Sequence, residues 1–121
     1  MTRVAFIDDH ESVRLGVEAA CARTGTTDVV YSGASVTSYL AWRADGGERA
    51  DVVVLDLTLG DGTTVTENVT RLTGDGSAVI IYSVADRPAS VREALLAGAA
   101  GVISKASPIS DVVGAIATVA R

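Results

Sequence analysis

This 121-residue chain has one cysteine, one histidine, few aromatic side chains and fewer cations than anions. A single thiol excludes an internal disulfide, so packing has to hold the fold; Cys21, at an apolar helical position, reads as a buried thiol in a reducing compartment. Ten Lys and Arg against 15 Asp and Glu give a formal net charge of -5 and a pI near 4.6. That balance argues against a direct grip on a nucleic-acid backbone, which needs clustered cations. No run approaches the roughly 20 apolar residues of a bilayer span, and MTRVAFIDD turns acidic too early for a signal peptide. A cytoplasmic location is the expectation. Low-complexity tracts, sequence repeats and linkers are also absent.

Aliphatic residues are plentiful. Hydrophobic residues make up 48% of the chain but aromatic ones only 4%, which favours elements buried on more than one side, as in a parallel sheet covered on both faces. Short apolar runs recur as VAFI from Val4, VVY from Val29, VVVL from Val52, VIIY from Val79 and GVI from Gly101. Their starts lie about 25 residues apart, room for a strand, a helix and two turns.

Between the runs the apolar period becomes helical. Val13, Val17, Ala20 and Cys21 share a face, as do Val36, Tyr39 and Leu40; Val65, Val69 and Leu72; Val91, Ala94 and Leu95; and Ile109, Val112, Val113 and Ile116. Gly25 and Gly98 suit helix C-terminal turns, and Pro88 and Pro108 suit first helical positions. The third helix, rich in Thr and Val, is expected to be the weakest, with mobile ends. The alternation predicts one α/β domain, a (βα)5 doubly wound parallel five-stranded sheet with helices on both faces.

In such a sheet, ligands bind beyond the carboxyl ends of the strands. Asp8 and Asp9 end the first strand, Asp56 the third and Ser83 the fourth, and Lys105 follows the fifth. Alone, each reads as a helix cap, a turn former or a solvated cation. Together they form a convergent polar set at one edge, as a site requires. Three neighbouring carboxylates repel, and a hard divalent cation, Mg²⁺, is the simplest remedy. A carboxylate beside such an ion can attack phosphorus to give an aspartyl phosphate, with Ser83 hydrogen-bonding the phosphoryl oxygens and Lys105 neutralising their charge. His10 reads as solvated, with a metal or relay role as the minor alternative. Trp42 reads as peripheral packing, and Asp61 as a turn residue, with outer-sphere help to the metal as its alternative.

On DDHESVRLGV, Asp56 within DVVVLDLTLGDG, Ser83 within VIIYSVAD and Lys105 within GVISKASPISDVVGAIATV, the chain resembles the receiver domain of two-component response regulators, and within them the NarL/FixJ (LuxR-type) group. The resemblance covers essentially all of residues 1–121. It implies a flavodoxin-like, CheY-like sheet with strand order 2-1-3-4-5. It also implies Asp56 as phosphoacceptor from a sensor histidine kinase; Mg²⁺ on Asp9, Asp56 and the backbone carbonyl of Thr58, with Asp8 acting through water; and Ser83 and Lys105 on the phosphoryl group. It further implies a homodimer, no membrane, and DNA contact only through a helix-turn-helix domain absent from this chain. A receiver turns over no separate substrate, so the expectation is that this is not an enzyme.

Three positions depart from the family pattern. Val102 stands where a switch aromatic is usual, and strand alternation points Tyr82 to the opposite sheet face, so it is no simple substitute. Ala106 replaces a proline that many receivers carry. Val84 replaces a small residue and narrows access for the phosphodonor. An alternative reading is a receiver-like dimerisation or ligand-binding module that works without phosphorylation. A third is a small Mg²⁺-dependent phosphatase or a flavodoxin-like binder, against which stands the lack of a cap domain or aromatic flavin clamp.

Overall fold

A computed structural model of the chain describes residues 1–84 and 88–121. Five strands, β1 (Thr2–Ile7), β2 (Thr27–Gly33), β3 (Val52–Asp56), β4 (Ala78–Ser83) and β5 (Gly101–Ser104), alternate with five helices. These are α1 (Glu11–Thr24), α2 (Val36–Ala44), α3 (Val65–Gly74), α4 (Pro88–Leu96) and α5 (Ile109–Val119). The strands are parallel in the order β2-β1-β3-β4-β5, the doubly wound sheet expected. The quoted motif VIIYSVAD ends in Ala85 and Asp86, outside the described residues.

The central strand β3 is buried at every residue, because helices cover both faces and its β-branched side chains pack on a pleated surface. Alternation sorts the side chains into two cores. Val4, Phe6, Val52, Val54, Ile80 and Tyr82 pack with Val17, Cys21, Val112 and Ile116 of α1 and α5. Ala5, Ile7, Val53, Leu55, Val79 and Ile81 pack with residues of α2, α3 and α4. Cys21 is a buried free thiol, as expected. Trp42 lies against Tyr31 and Tyr39 at the margin of the second core, the peripheral role its position suggested.

Helix ends follow local chemistry, with corrections. Gly25 closes α1 at φ 67°, a left-handed conformation open to glycine without strain, and Pro88 is the first residue of α4. Pro108 is the N-cap of α5 rather than its first helical residue. Helix α3 is anchored better than its composition predicts: Thr64 Oγ1 accepts from the Glu67 N–H at 3.1 Å and Glu67 Oε1 accepts from the Thr64 N–H at 3.2 Å. This reciprocal box satisfies two donors that the first turn would otherwise leave unpaired. Leu95 and Ile109, expected on buried faces, are exposed. Each lies on the flank of its helix, beyond the stripe that Ala94 or Val112 presses onto the sheet.

Candidate functional site

Strand alternation builds the floor of the site. Asp8 extends the column of Val4 and Phe6, Asp56 that of Val52 and Val54, and Lys105 that of Ile103, so all three emerge above the core facing α1 and α5. Asp8 is 4% exposed and Asp56 7%. Charge at that depth is costly unless paired, and Lys105 provides the pair. Its Nζ lies 2.8 Å from Asp8 Oδ2 and 3.4 Å from Asp56 Oδ1, with the Tyr82 ring centroid 5.9 Å away. The Lys105 backbone N–H donates to the Ser83 carbonyl at 2.7 Å, extending the β4–β5 pairing in which Ser83 faces Ser104. That bond fixes where the lysine side chain begins.

One ammonium does not balance three carboxylates. Burial first, then the negative charge of Asp8 and a hydrogen-bond contact with Asp9, push Asp56 from an ordinary value near 3.8 up to about 6, against the opposing pull of Lys105. For Lys105, burial disfavours the charge. Its contacts with Asp8 and Asp56 outweigh that, and its pKa is held above the ordinary lysine value.

Around this trio sits a second layer. Asp8 Oδ1 accepts from the His10 backbone N–H at 2.9 Å, a short turn that leads into α1. The His10 ring, 63% exposed, is more engaged than a solvated histidine: Nδ1 lies 3.1 Å from Asp8 Oδ1 and 3.0 Å from Asp9 Oδ1. Gly60 adopts φ 73° in the loop after β3, and a side chain there would stand 3.5 Å from Asp9 Oδ2. Sequence reasoning missed Arg14, whose Nη1 donates to the Asp8 carbonyl at 2.8 Å. Its signal was an arginine in the first turn of a helix that starts right after two adjacent acids.

The acidic set fits a hard divalent cation. Asp8, Asp9, His10 and Asp56 offer ligand atoms that all lie within 4.8 Å of one another. The buried Asp8 Oδ2 is held by the Lys105 ammonium at 2.8 Å. Clustered carboxylate oxygens of this kind are what Mg²⁺ takes. Asp61 stays apart from them: its carboxylate accepts from the Thr63 N–H at 3.0 Å and is held below the ordinary range by Thr63, a turn residue as expected.

Above the acids opens a cavity of about 400 Å³ lined by His10, Val13, Asp56, Thr58, Ser83, Val84 and Lys105 among others. Ser83 is buried at its wall, and Val84, 67% exposed, stands at its rim. Thus Asp56, Ser83, Lys105 and Thr58 share one cavity, and Asp8 and Asp9 adjoin it through His10 and Asp56. Val102 packs against the core on the α2, α3 and α4 side while Tyr82 packs on the other, the opposition that alternation predicted.

Comparison with known proteins bears on the family and the fold. A family model described as the response regulator receiver domain matches residues 4–117. The chain is 35% identical over 120 residues to the transcriptional regulatory protein UhpA of Salmonella typhimurium, covering 99% of this chain and 59% of UhpA. It is 31% identical over 123 residues to the methanol utilization control regulatory protein MoxX of Paracoccus denitrificans, covering 98% and 53% respectively. The chain therefore spans a little over half the length of these curated relatives. Among solved structures, the signal receiver domain of the response regulator NarL from Mycobacterium tuberculosis superposes with a TM-score of 0.85 at 30% identity, covering 98% of this chain and 95% of that one. A two-component response regulator of the LuxR family from Aurantimonas sp. gives 0.83 at 28% identity, covering 99% and 86%. With the family model spanning nearly the whole fold, and with relatives of the NarL/FixJ group along its full length, this chain belongs to the response regulator receiver domain family.

Proposed function

We propose that Asp56 is the phosphoacceptor of this receiver and that a sensor histidine kinase is its donor. The observation that carries this reading is the placement of Asp56: a buried carboxylate at the floor of an open cavity, beside one lysine and two further acids. An Asp56 carboxylate oxygen attacks phosphorus, forming the O–P bond while the bond from phosphorus to the donor nitrogen breaks and its electron pair stays on that nitrogen. Asp9, Asp56 and the Thr58 carbonyl would hold Mg²⁺, with Asp8 supporting it through water. When bound, the ion supplies positive charge to the phosphoryl oxygens. Lys105, now poised between Asp8 and Asp56, shifts toward the added anion, and Ser83 hydrogen-bonds it.

The added phosphoryl group carries about 1.5 to 2 negative charges, enough to bias the packing around β4 and β5. The domain works as a switch in the cytoplasm, as a homodimer, and turns over no separate substrate. Its output is transcriptional and reaches DNA through a domain outside this chain, in keeping with the net charge of -5. The test is intact-mass measurement after incubation with acetyl phosphate and Mg²⁺. One phosphate is expected on the wild type and none on Asp56→Asn, and equal labelling of the two would sink the assignment.

A further inference from the structure

We propose that Asn68 is a positioning residue for phosphorylation: its side-chain amide latches the β3–α3 loop, residues 57–64, over Asp56 and Asp9. The inference rests on the reading that Asp56 takes the phosphate with a divalent cation beside it. It goes further by naming a residue outside the acidic set that holds the site in shape.

Asn68 is out of place in its surroundings. It shares the inward face of α3 with Val65, Val69 and Leu72, and is itself only 1% exposed. An apolar side chain would pack there without penalty, whereas Asn68 Oδ1 is buried with no hydrogen-bond donor among the described residues, an arrangement that costs stability. The other end of the amide is engaged: Nδ2 donates to Thr63 Oγ1 at 2.9 Å. The Thr63 hydroxyl has one proton, and Asp61 Oδ1 takes it at 2.5 Å while also accepting from the Thr63 N–H at 3.0 Å. That hydroxyl is left as an acceptor, so the amide has to present its NH₂ group to Thr63 and leave its oxygen unpaired.

The loop needs such a tie. Leu57 and Leu59 anchor its first half in the core shared with α2, α3 and α4, and Thr58 between them lines the cavity. Beyond them Gly60, Asp61, Gly62 and Thr64 are exposed, and both glycines take positive φ, 73° and 85°, a backbone with little stiffness of its own. A side chain at Gly60 would stand 3.5 Å from Asp9 Oδ2, so the loop runs close over the acids. A displacement of about 1 Å there is enough to slow the transfer.

The latch can be broken from the loop side, at the half-buried Thr63, without touching the core. Thr63→Val removes the hydroxyl, Thr63→Ser keeps it, and Asn68→Leu replaces the amide with an apolar side chain of the same branched outline. Phosphorylation by acetyl phosphate is followed by intact mass across a magnesium chloride titration. Thr63→Val and Asn68→Leu are expected to need roughly tenfold more Mg²⁺ for half-maximal rate, and Thr63→Ser to follow the wild type. In chelator, amide hydrogen exchange of residues 58–63 should quicken by about threefold or more in the first two variants, while the urea midpoint of Asn68→Leu stays at or above the wild-type value. A residue kept only for packing would not give a stronger fold with a weaker site. If all the variants load as the wild type does, if Thr63→Ser fails as badly as Thr63→Val, or if the losses track a lowered urea midpoint, Asn68 has no positioning role and the Asp56 reading stands. If the wild type itself gains no phosphate, the Asp56 reading falls and the latch with it.

Discussion

The costly charge at Asp56 predicts that removing it stabilises the fold. In the unfolded chain this carboxyl loses its proton near 3.8, and in the folded protein at about 6. Between those values folding takes up a proton, so stability falls as pH rises through the interval and then stays level. A rise of about 2 pH units at about 1.4 kcal/mol each sets the full penalty at about 3 kcal/mol. Asp56→Asn keeps the shape of the side chain and abolishes the charge. In chelator at pH 7.5 it should be more stable than the wild type by about 2 to 3 kcal/mol, shrinking to about 1 kcal/mol at pH 4.5. Urea denaturation of both proteins at the two pH values measures this. Mg²⁺ at a hundredfold excess over its dissociation constant should restore about 2.7 kcal/mol to the wild type and less to the variant, narrowing the gap. A variant no more stable than the wild type in chelator at pH 7.5, or a gap that ignores pH, would refute the reasoning.

Other perturbations test the surrounding parts. Lys105→Ala leaves Asp8 and Asp56 facing each other without their cation; it should cost about 1 to 3 kcal/mol near neutral pH and raise the Asp56 titration above its present value. Carboxyl NMR of the variant reads the second effect, and an unmoved Asp56 would contradict the electrostatics. Tyr39→Phe removes the oxygen that accepts from the buried Ala50 N–H at 3.0 Å, an expected loss of about 1 to 3 kcal/mol in urea denaturation, with no loss arguing that another acceptor replaces it. Burial pushes the Cys21 thiol up, so a thiol reagent should label it only as fast as the chain opens. Rapid labelling of the native protein would show the α1 face to be less sealed than the packing implies.

Most of the fold was legible because the strands punctuate so regularly. In VVVLD an alternating column of buried valines ends in an aspartate, so the same period that predicts the strand also predicts which edge Asp56 reaches. Parity along β4 likewise separated Ser83, on the cavity wall, from Tyr82 beneath Lys105. Where the reading fell short, the missing information was not periodic. Leu95 and Ile109 fit their helical stripes, but a stripe does not say how far a neighbouring element covers its flank. The weak composition of α3 hid the Thr64 and Glu67 box, although its three-residue spacing was there to be read.

Arg14 and His10 mark the deeper limit. Each looks like a charged or polar residue at an exposed helix start, and their partners are a backbone carbonyl and two neighbouring carboxylates that only the turn from β1 into α1 brings within reach. The sequence poses the difficulty of two adjacent acids, Asp8 and Asp9; the structure divides the remedy between groups far apart in the chain. Lys105 sits closer to Asp8 than to Asp56, at 2.8 against 3.4 Å, and His10 attends to Asp8 and Asp9. Asp56, buried and left with the longer of the two lysine contacts, therefore carries a pKa raised first by burial and then by the charge of Asp8, and it is Asp56 rather than Asp8 that lines the open cavity.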